Sequence, residues 1–425
     1  MIKKILYIIL TGLAAISLIS CGQAADVPGD AAGFSVLVEP TLDFERVGEF
    51  SSGLAPVYKE GKWGYIDKTG QLLVPCVYDY AEPLVDGVSL VASAVDLEDG
   101  WIPYYGLIDE KGKPLTLVEY EYIGVFKDGL AMAAKEEKFG YLDTTGKLVI
   151  PCKYELADDF SAGLAVASLD GMVYGYIDKA GKTAIPFKYE YAYSFAEGLA
   201  AVSANGKSGF IDAAGQTVIP LEYDYASSFS NGLAAVAKSG GTDVQMGYID
   251  KTGAAVIPFE YQEANDFKDG VALVRKGGAN YCYIDKSGKV IARYEDYTSI
   301  LDFNEGLAPV RKDSKWGFID TAGALAIACE YEWVNENGFT DGLALAKSNN
   351  KWGCIDKTGA VVVPFEYEVL YEFVAGFAAA VKDQKYGLID TAGNVIAPFE
   401  YDFTGYIGDG LAFVKTENKW GIVEL

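Results

Sequence analysis

The chain has 425 residues, half of them hydrophobic, so it can bury a sizeable core and is not dominated by disorder. Sixty Asp+Glu against 35 Lys+Arg give a net charge of −25, which excludes a general nucleic-acid binder because phosphate contacts need a basic face. There is no histidine, which removes Ser-His-Asp and Cys-His catalysis and histidine-ligated metals, while 48 Gly and 30 Tyr point to β structure punctuated by turns.

At the N-terminus, Lys3 and Lys4 precede an apolar run from Ile5 to Ile19. The run is short for a membrane span, and residues 1–20 read as a secretory signal peptide. It stops at Leu18-Ile19-Ser20-Cys21-Gly22, which resembles the lipobox of exported bacterial lipoproteins. The resemblance implies cleavage before Cys21, lipidation of Cys21, and attachment to the cell membrane or outer membrane. Residues 21–35, small and polar with Pro28 among them, are expected to be the lipidated cysteine and a flexible tether. The later cysteines, Cys76, Cys152, Cys282, Cys329 and Cys354, match no zinc spacing, and their odd number excludes a complete disulfide framework. Cys76, Cys152 and Cys329 share one repeat slot, as expected of a small buried apolar residue.

Residues 36–425 are a tandem repeat of about 35 residues, in about eleven units. A glycine recurs at 64, 106, 140, 175, 209, 247, 317, 353, 387 and 421, with Cys282 in its place once. Asp-x-x-Gly follows in ten units, from Asp67/Gly70 to Asp390/Gly393. Asp opening a type I turn accepts hydrogen bonds from the turn amides, and Gly at its end takes positive φ, so the chain reverses into a hairpin. The next strand, as in Lys147-Leu148-Val149-Ile150-Pro151, ends in proline in seven of the ten units; proline there ends central pairing or marks an edge. Tyr, Ala, Phe and Gly then stand three apart, as in Tyr223, Ala226, Phe229 and Gly232. Period three predicts a short 3₁₀ or one-turn helix laying one apolar edge on the sheet. Gly then opens a Leu-Ala-x-Val strand. The expected unit is three short strands plus a packed loop, too small to bury its own face, so units must stack. The chain enters late in one repeat at Val36–Pro40 and leaves mid-repeat at Lys419–Leu425, so its ends are complementary halves. The predicted fold is all-β, with short antiparallel strands stacked in an open twisted array, since eleven units exceed the roughly four to eight blades usual in propellers. A closed propeller-like ring is the alternative.

At Lys62-Trp63-Gly64-Tyr65-Ile66-Asp67, Lys315-Trp316-Gly317-Phe318-Ile319-Asp320 and Lys351-Trp352-Gly353-Cys354-Ile355-Asp356 the chain resembles the bacterial WG-repeat family, across residues 36–425. The resemblance implies β-rich tandem repeats, often exported, used for binding rather than for a defined activity, and it supplies no catalytic residues. The Trp slot holds Tyr105, Phe139, Tyr174, Ser208, Met246, Tyr281 and Tyr386 in other units, so bulk and a flat face matter there more than an indole.

The slot rings are expected to pack on the neighbouring glycine and seal the repeat interface. The Asp ladder has no Asp-x-Asp loop for calcium, so it is expected to cap turns. No metal, cofactor or enzymatic activity is expected. Departures from the repeat are more informative. The gap from the strand-opening Gly to the motif Gly is 11 in most units, 19 from Gly87 to Gly106 and 15 from Gly232 to Gly247. Both insertions lengthen the same hairpin tip and are expected along one edge, where binding tends to reside. The first holds the candidate ligand-binding residues Asp96, Glu98, Asp99, Trp101, Tyr104 and Tyr105. The expected function is a membrane-anchored cell-envelope scaffold for a protein or polysaccharide partner. A structural spacer without a ligand is the alternative, and a carboxylate-based glycosidase a distant third.

Overall fold

The computed structural model describes residues 34–97, 100–240, 243–278 and 281–425. The expected signal peptide at 1–20, Cys21 and most of the expected tether lie outside the described residues; Ser35 begins the first strand, Ser35–Leu42.

Residues 156–189 show the unit. Four antiparallel strands, Leu156–Ala157, Leu164–Ser168, Tyr174–Asp178 and Thr183–Tyr189, pair in chain order. Among the described residues the arrangement recurs in ten four-stranded sheets and one three-stranded sheet. We number these blades along the chain: 46–78, 80–120, 122–154, 156–189, 191–223, 225–261, 263–293, 299–331, 333–367, 369–401, and last 403–424 with 35–42. In blade 2 the fourth position is taken by a segment touching through the bridges Tyr105↔Tyr120 and Ile108↔Pro114.

The unit therefore has four strands, not three and a loop, and the spacing of three is not helical. Tyr223 ends one blade's fourth strand, and Ala226 lies in the next blade's first strand, Tyr225–Ala226. Phe229 is buried between the two blades, and Gly232 turns at φ +86°. The period arises from two corners in an extended chain. The only 3₁₀ turn among the described residues is Tyr294–Asp296.

The Asp turns form as expected. Asp143 Oδ1 accepts the amides of Thr145 (2.9 Å) and Lys147 (3.0 Å), and the Gly146 amide donates to the Asp143 carbonyl at 2.9 Å. The slot glycine has a different reason from the one expected. Trp316 pairs with Tyr331 but Phe318 with Ile327, so two residues of the third strand face four of the fourth. The resulting bulge leans onto Gly317, where an added Cβ would stand 2.5 Å from the Ile327 carbonyl oxygen. The recurrent proline, such as Pro220 between Ile219 and Tyr223, sits in this bulge, where no ladder hydrogen bond is required. Blade 7 is the internal control. Its fourth strand, Val290–Arg293, lacks proline, Cys282↔Arg293 and Tyr283↔Ala292 are in unbroken register, and a cysteine fits where the others need glycine.

The two chain ends meet. Ser35–Leu42 pairs antiparallel with Lys419–Glu424 and supplies the fourth strand of blade 11. Phe50 stacks on Phe413 with centroids 5.0 Å apart, and Val47, Phe50 and Ala55 share one core with Leu411, Trp420 and Ile422. First and last blades pack as any two neighbours do, and the molecule is an eleven-blade β-propeller. The open array is corrected in favour of the closed ring. An array would leave a lone strand at one end and a three-stranded sheet at the other, each with an unpaired edge; closure removes both edges.

Candidate binding surface

The blades carry a transverse row of side chains, one per strand, such as Tyr191, Ser203, Ser208 and Tyr223 in blade 5, and only in blade 7 does the row lack its fourth member among the described residues. The third residue of the row is the Trp slot. Trp63, Phe139, Tyr174, Trp316, Trp352 and Tyr386 are half-buried and pack on the cores between blades. Trp420 is 5 % exposed, and its Nε1 donates to the Phe44 carbonyl at 3.0 Å. The rings seal blade junctions, while the glycine beside them accommodates the bulge of its own blade.

The slot lies close to the hairpin joining second and third strands. In ordinary blades this tip is two residues, both at positive φ, such as Glu136 (54°) and Glu137 (58°), the geometry of a type I′ turn. Four blades depart from it: in blades 4 and 7 five residues separate the second and third strands (169–173 and 276–280), and in blades 2 and 6 the strands themselves are lengthened. In blade 2 the strands Val88–Leu97 and Gly100–Asp109 pair for five positions beyond the row, from Ser93↔Tyr104 to Leu97↔Gly100, where ordinary blades add one. The extra four pairs raise this hairpin by about 13 Å. In blade 6, Ala234–Gly240 and Asp243–Ile249 add three pairs. Both long hairpins are on the rim formed by second–third strand tips.

The candidate residues divide. Glu98 and Asp99 lie outside the described residues. Asp96 faces Trp101 in the strand register, but the side chains of 96–101 are likewise outside what is described. Tyr104 is half-buried, opposite Ser93. Tyr105 occupies the Trp slot and packs with Val88, Leu107 and Tyr120 between blades 2 and 3. Its phenol is pushed up by burial and then by Glu82, and it belongs to the framework. Sequence reasoning missed Val95 and Ile102, which pair directly and are 47 % and 38 % exposed. With Tyr104 they put apolar surface on one face of the raised hairpin. The available signal was the spacing of two between Ile102 and Tyr104, which places both on one face of a strand.

The junctions are laced with charge. Asp224 accepts from Lys207 of blade 5 and from the Ser239 hydroxyl and amide of blade 6, and these bonds hold its carboxyl at about 2. On the turns between first and second strands, a side chain caps a glycine amide of the next blade: Asp128 to Gly163, Asn231 to Gly270, and, across the seam, Asp409 to Gly53 at 2.7 Å. The five cysteines among the described residues are free thiols. Cys76, Cys152 and Cys329 are half-buried rather than buried, and burial pushes Cys354 up to about 12.

A family model described as "WG containing repeat" matches eleven segments: residues 36–63, 63–92, 105–139, 139–172, 174–207, 209–241, 246–278, 281–316, 316–352, 352–386 and 386–420. No curated protein matches the chain. Among solved structures it is similar to a eukaryotic initiation factor, at 11 % identity and TM-score 0.43, over 77 % of this chain and 97 % of that one. It is also similar to BamB from Moraxella catarrhalis, at 13 % identity and TM-score 0.33, over 66 % of this chain and 92 % of that one. A third likeness, to the tricorn protease, has 11 % identity and TM-score 0.22, over 89 % of this chain and 46 % of that one.

Proposed function

The chain belongs to the WG containing repeat family, and from that premise we propose that it is a cell-envelope binding scaffold. In this reading lipid on Cys21 anchors it to the bacterial cell membrane or outer membrane, and the ring engages a protein or polysaccharide partner through the raised hairpin of blade 2. The observation that carries the reading is that hairpin: a closed ring of near-identical blades breaks its regularity most in one place, and there exposes Val95 and Ile102 beside Tyr104. Uniform blades serve stability, whereas a lengthened tip with apolar surface serves contact. The reading is of a binder and not of an enzyme, on a chain without histidine.

The anchor rests on Lys3, Lys4, the run to Ile19 and the cysteine at its end. Stable anchoring takes two or more acyl chains. Cys21→Ser should leave the mature protein unlipidated and released from membranes; mass spectrometry finding a free Cys21 thiol in the mature wild type removes this part of the reading. The partner is tested by capture from envelope extract with the whole protein and with residues 94–104 replaced by a two-residue turn. A component retained by the first and lost by the second supports the scaffold. If neither retains anything, the protein is a spacer.

A further inference from the structure

Four blade junctions repeat one small device. A lysine one position beyond the row residue of the second strand reaches back to a glutamate on the fourth-strand side of the preceding blade. The pairs are Lys135–Glu119 (2.9 Å), Lys238–Glu222 (2.8 Å), Lys276–Glu260 (2.7 Å) and Lys382–Glu366 (3.1 Å). The glutamate always precedes the motif tyrosine. At Lys238 the ammonium also stands 4.6 Å from the centre of the Tyr223 ring and 5.6 Å from that of Phe259. Phe259 lies nearly parallel to Tyr223, at 13° and 6.4 Å. The junction is a seat for an alkylammonium: a carboxylate, an aromatic face beneath, and an aromatic cover.

At the seam between blades 10 and 11 the seat is present and both covering side chains are missing. Glu400 and Tyr401 occupy the positions of Glu222 and Tyr223. The lysine position holds Thr416. The fourth strand here comes from the N-terminus, where Val38 pairs with Ile422 as Ile257 pairs with Tyr248. Two residues on, Pro40 therefore stands where Phe259 does. The space left is a groove of about 530 Å³, walled by Glu39, Pro40, Glu400, Tyr401, Thr416 and Glu417, with Val36 and Val414 adding apolar surface. Lys419 also lines it but is paired with Asp43. Glu400 and Glu39 both act on the Tyr401 phenol, which burial, chiefly, pushes up.

We propose that this seam groove binds a lysine side chain of a partner protein, with its ammonium on Glu400 and over Tyr401. The occupant follows from the molecule itself. Four sister junctions hold a lysine in this position, the valines and proline suit its methylene stem, and a surface of net charge −25 favours a basic partner. The inference deepens the scaffold reading and rests on it for there being a partner.

The test uses the full chain and a fluorescent octalysine peptide, read by anisotropy. Thr416→Lys fills the seat with the protein's own lysine. Thr217→Lys makes the same charge change at an exposed position of blade 5. Thr416→Lys should weaken octalysine binding by roughly five-fold or more and raise the melting temperature, whereas Thr217→Lys should weaken it less than about two-fold. Glu400→Gln should also weaken binding. Equal losses from the two lysine variants would mean diffuse attraction and overturn the proposal. Spermidine binding as tightly as octalysine, with the same sensitivity to Thr416→Lys, would make the occupant a free polyamine and overturn it too. An envelope partner captured through the blade 2 hairpin and indifferent to Thr416→Lys sinks this inference and leaves the scaffold reading standing.

Discussion

One slot in the repeat shows how a single residue answers to the strand beside it. Gly317 lies under a fourth-strand bulge, and an added Cβ would be 2.5 Å from the Ile327 carbonyl oxygen. Backbone cannot give way as a side chain tip can, so Gly317→Ala should destabilise by ~2 kcal/mol or more, read as a lower urea midpoint. The same slot in blade 7 has the opposite preference. Cys282 is buried where its strand pairs without a bulge, Cys282↔Arg293 and Tyr283↔Ala292, and Cys282→Gly should cost ~1–3 kcal/mol through the lost thiol and the freer backbone. An unchanged midpoint in either variant would break this account of the slot. The neighbouring rings grade by burial. Trp420→Ala should cost ~3–5 kcal/mol, the full truncation of a buried aromatic, and Trp316→Ala about half that, because Trp316 is only half-buried beneath Arg311. The glycine and its one exception were legible in the sequence, but their cause was not. A bulge is a register shift between two strands, and no single strand's pattern records it.

Among the elements, the hairpin tips and the Asp turns are most open to test. Glu137 sits at φ 58°, a left-handed position that costs a residue with a Cβ about 1–2 kcal/mol, while Gly loses about 0.5–1 kcal/mol of backbone entropy. Glu137→Gly should therefore raise stability by roughly 0.5 kcal/mol. Its backbone amide would keep the bond to the Glu121 carboxylate. In the Asp turns, the hydroxyls of Thr145, Thr252 and Thr358 hold the carboxyls of Asp143, Asp250 and Asp356 below their ordinary value. A folded-state value below the unfolded one adds stability that is fully present above the unfolded value, near pH 4, and is lost as pH falls through the folded one. Thr145→Val, Thr252→Val and Thr358→Val together should move the acid-unfolding midpoint to higher pH, followed by circular dichroism. A midpoint that stays put means these turns open only after the ring has unfolded. The turns and the third strands were readable because each carries a local signature. The two-residue first strands were not, because two residues have no period, and Tyr223 and Ala226 belong to different blades.

For the molecule as a whole, the decisive event is the pairing of Ser35–Leu42 with Lys419–Glu424. The sequence showed complementary halves at the two ends, yet the number of units argued against closure, because blade count is a statistical habit while edge pairing is a local energy. Closure buries Phe50 against Phe413, completes the pairing of the strand carrying Trp420, and adds the bond from the Gly53 amide to Asp409 that other junctions also have. Deleting residues 1–42 would leave the Lys419–Glu424 strand as the open apolar edge of a three-stranded blade 11. Such an edge templates pairing with another chain. The truncated protein should therefore melt at lower temperature and self-associate in sedimentation. The damage should start at blades 11 and 1, seen as faster amide exchange in 46–59 and 411–424, and spread inward as each blade loses a neighbour. A synthetic peptide of residues 34–42 added in excess should pair with the open edge, restore monomeric sedimentation and raise the melting temperature. If the truncated chain melts and sediments like the full one, the seam contributes nothing the ten other junctions do not already supply, and the ring is closed by packing alone.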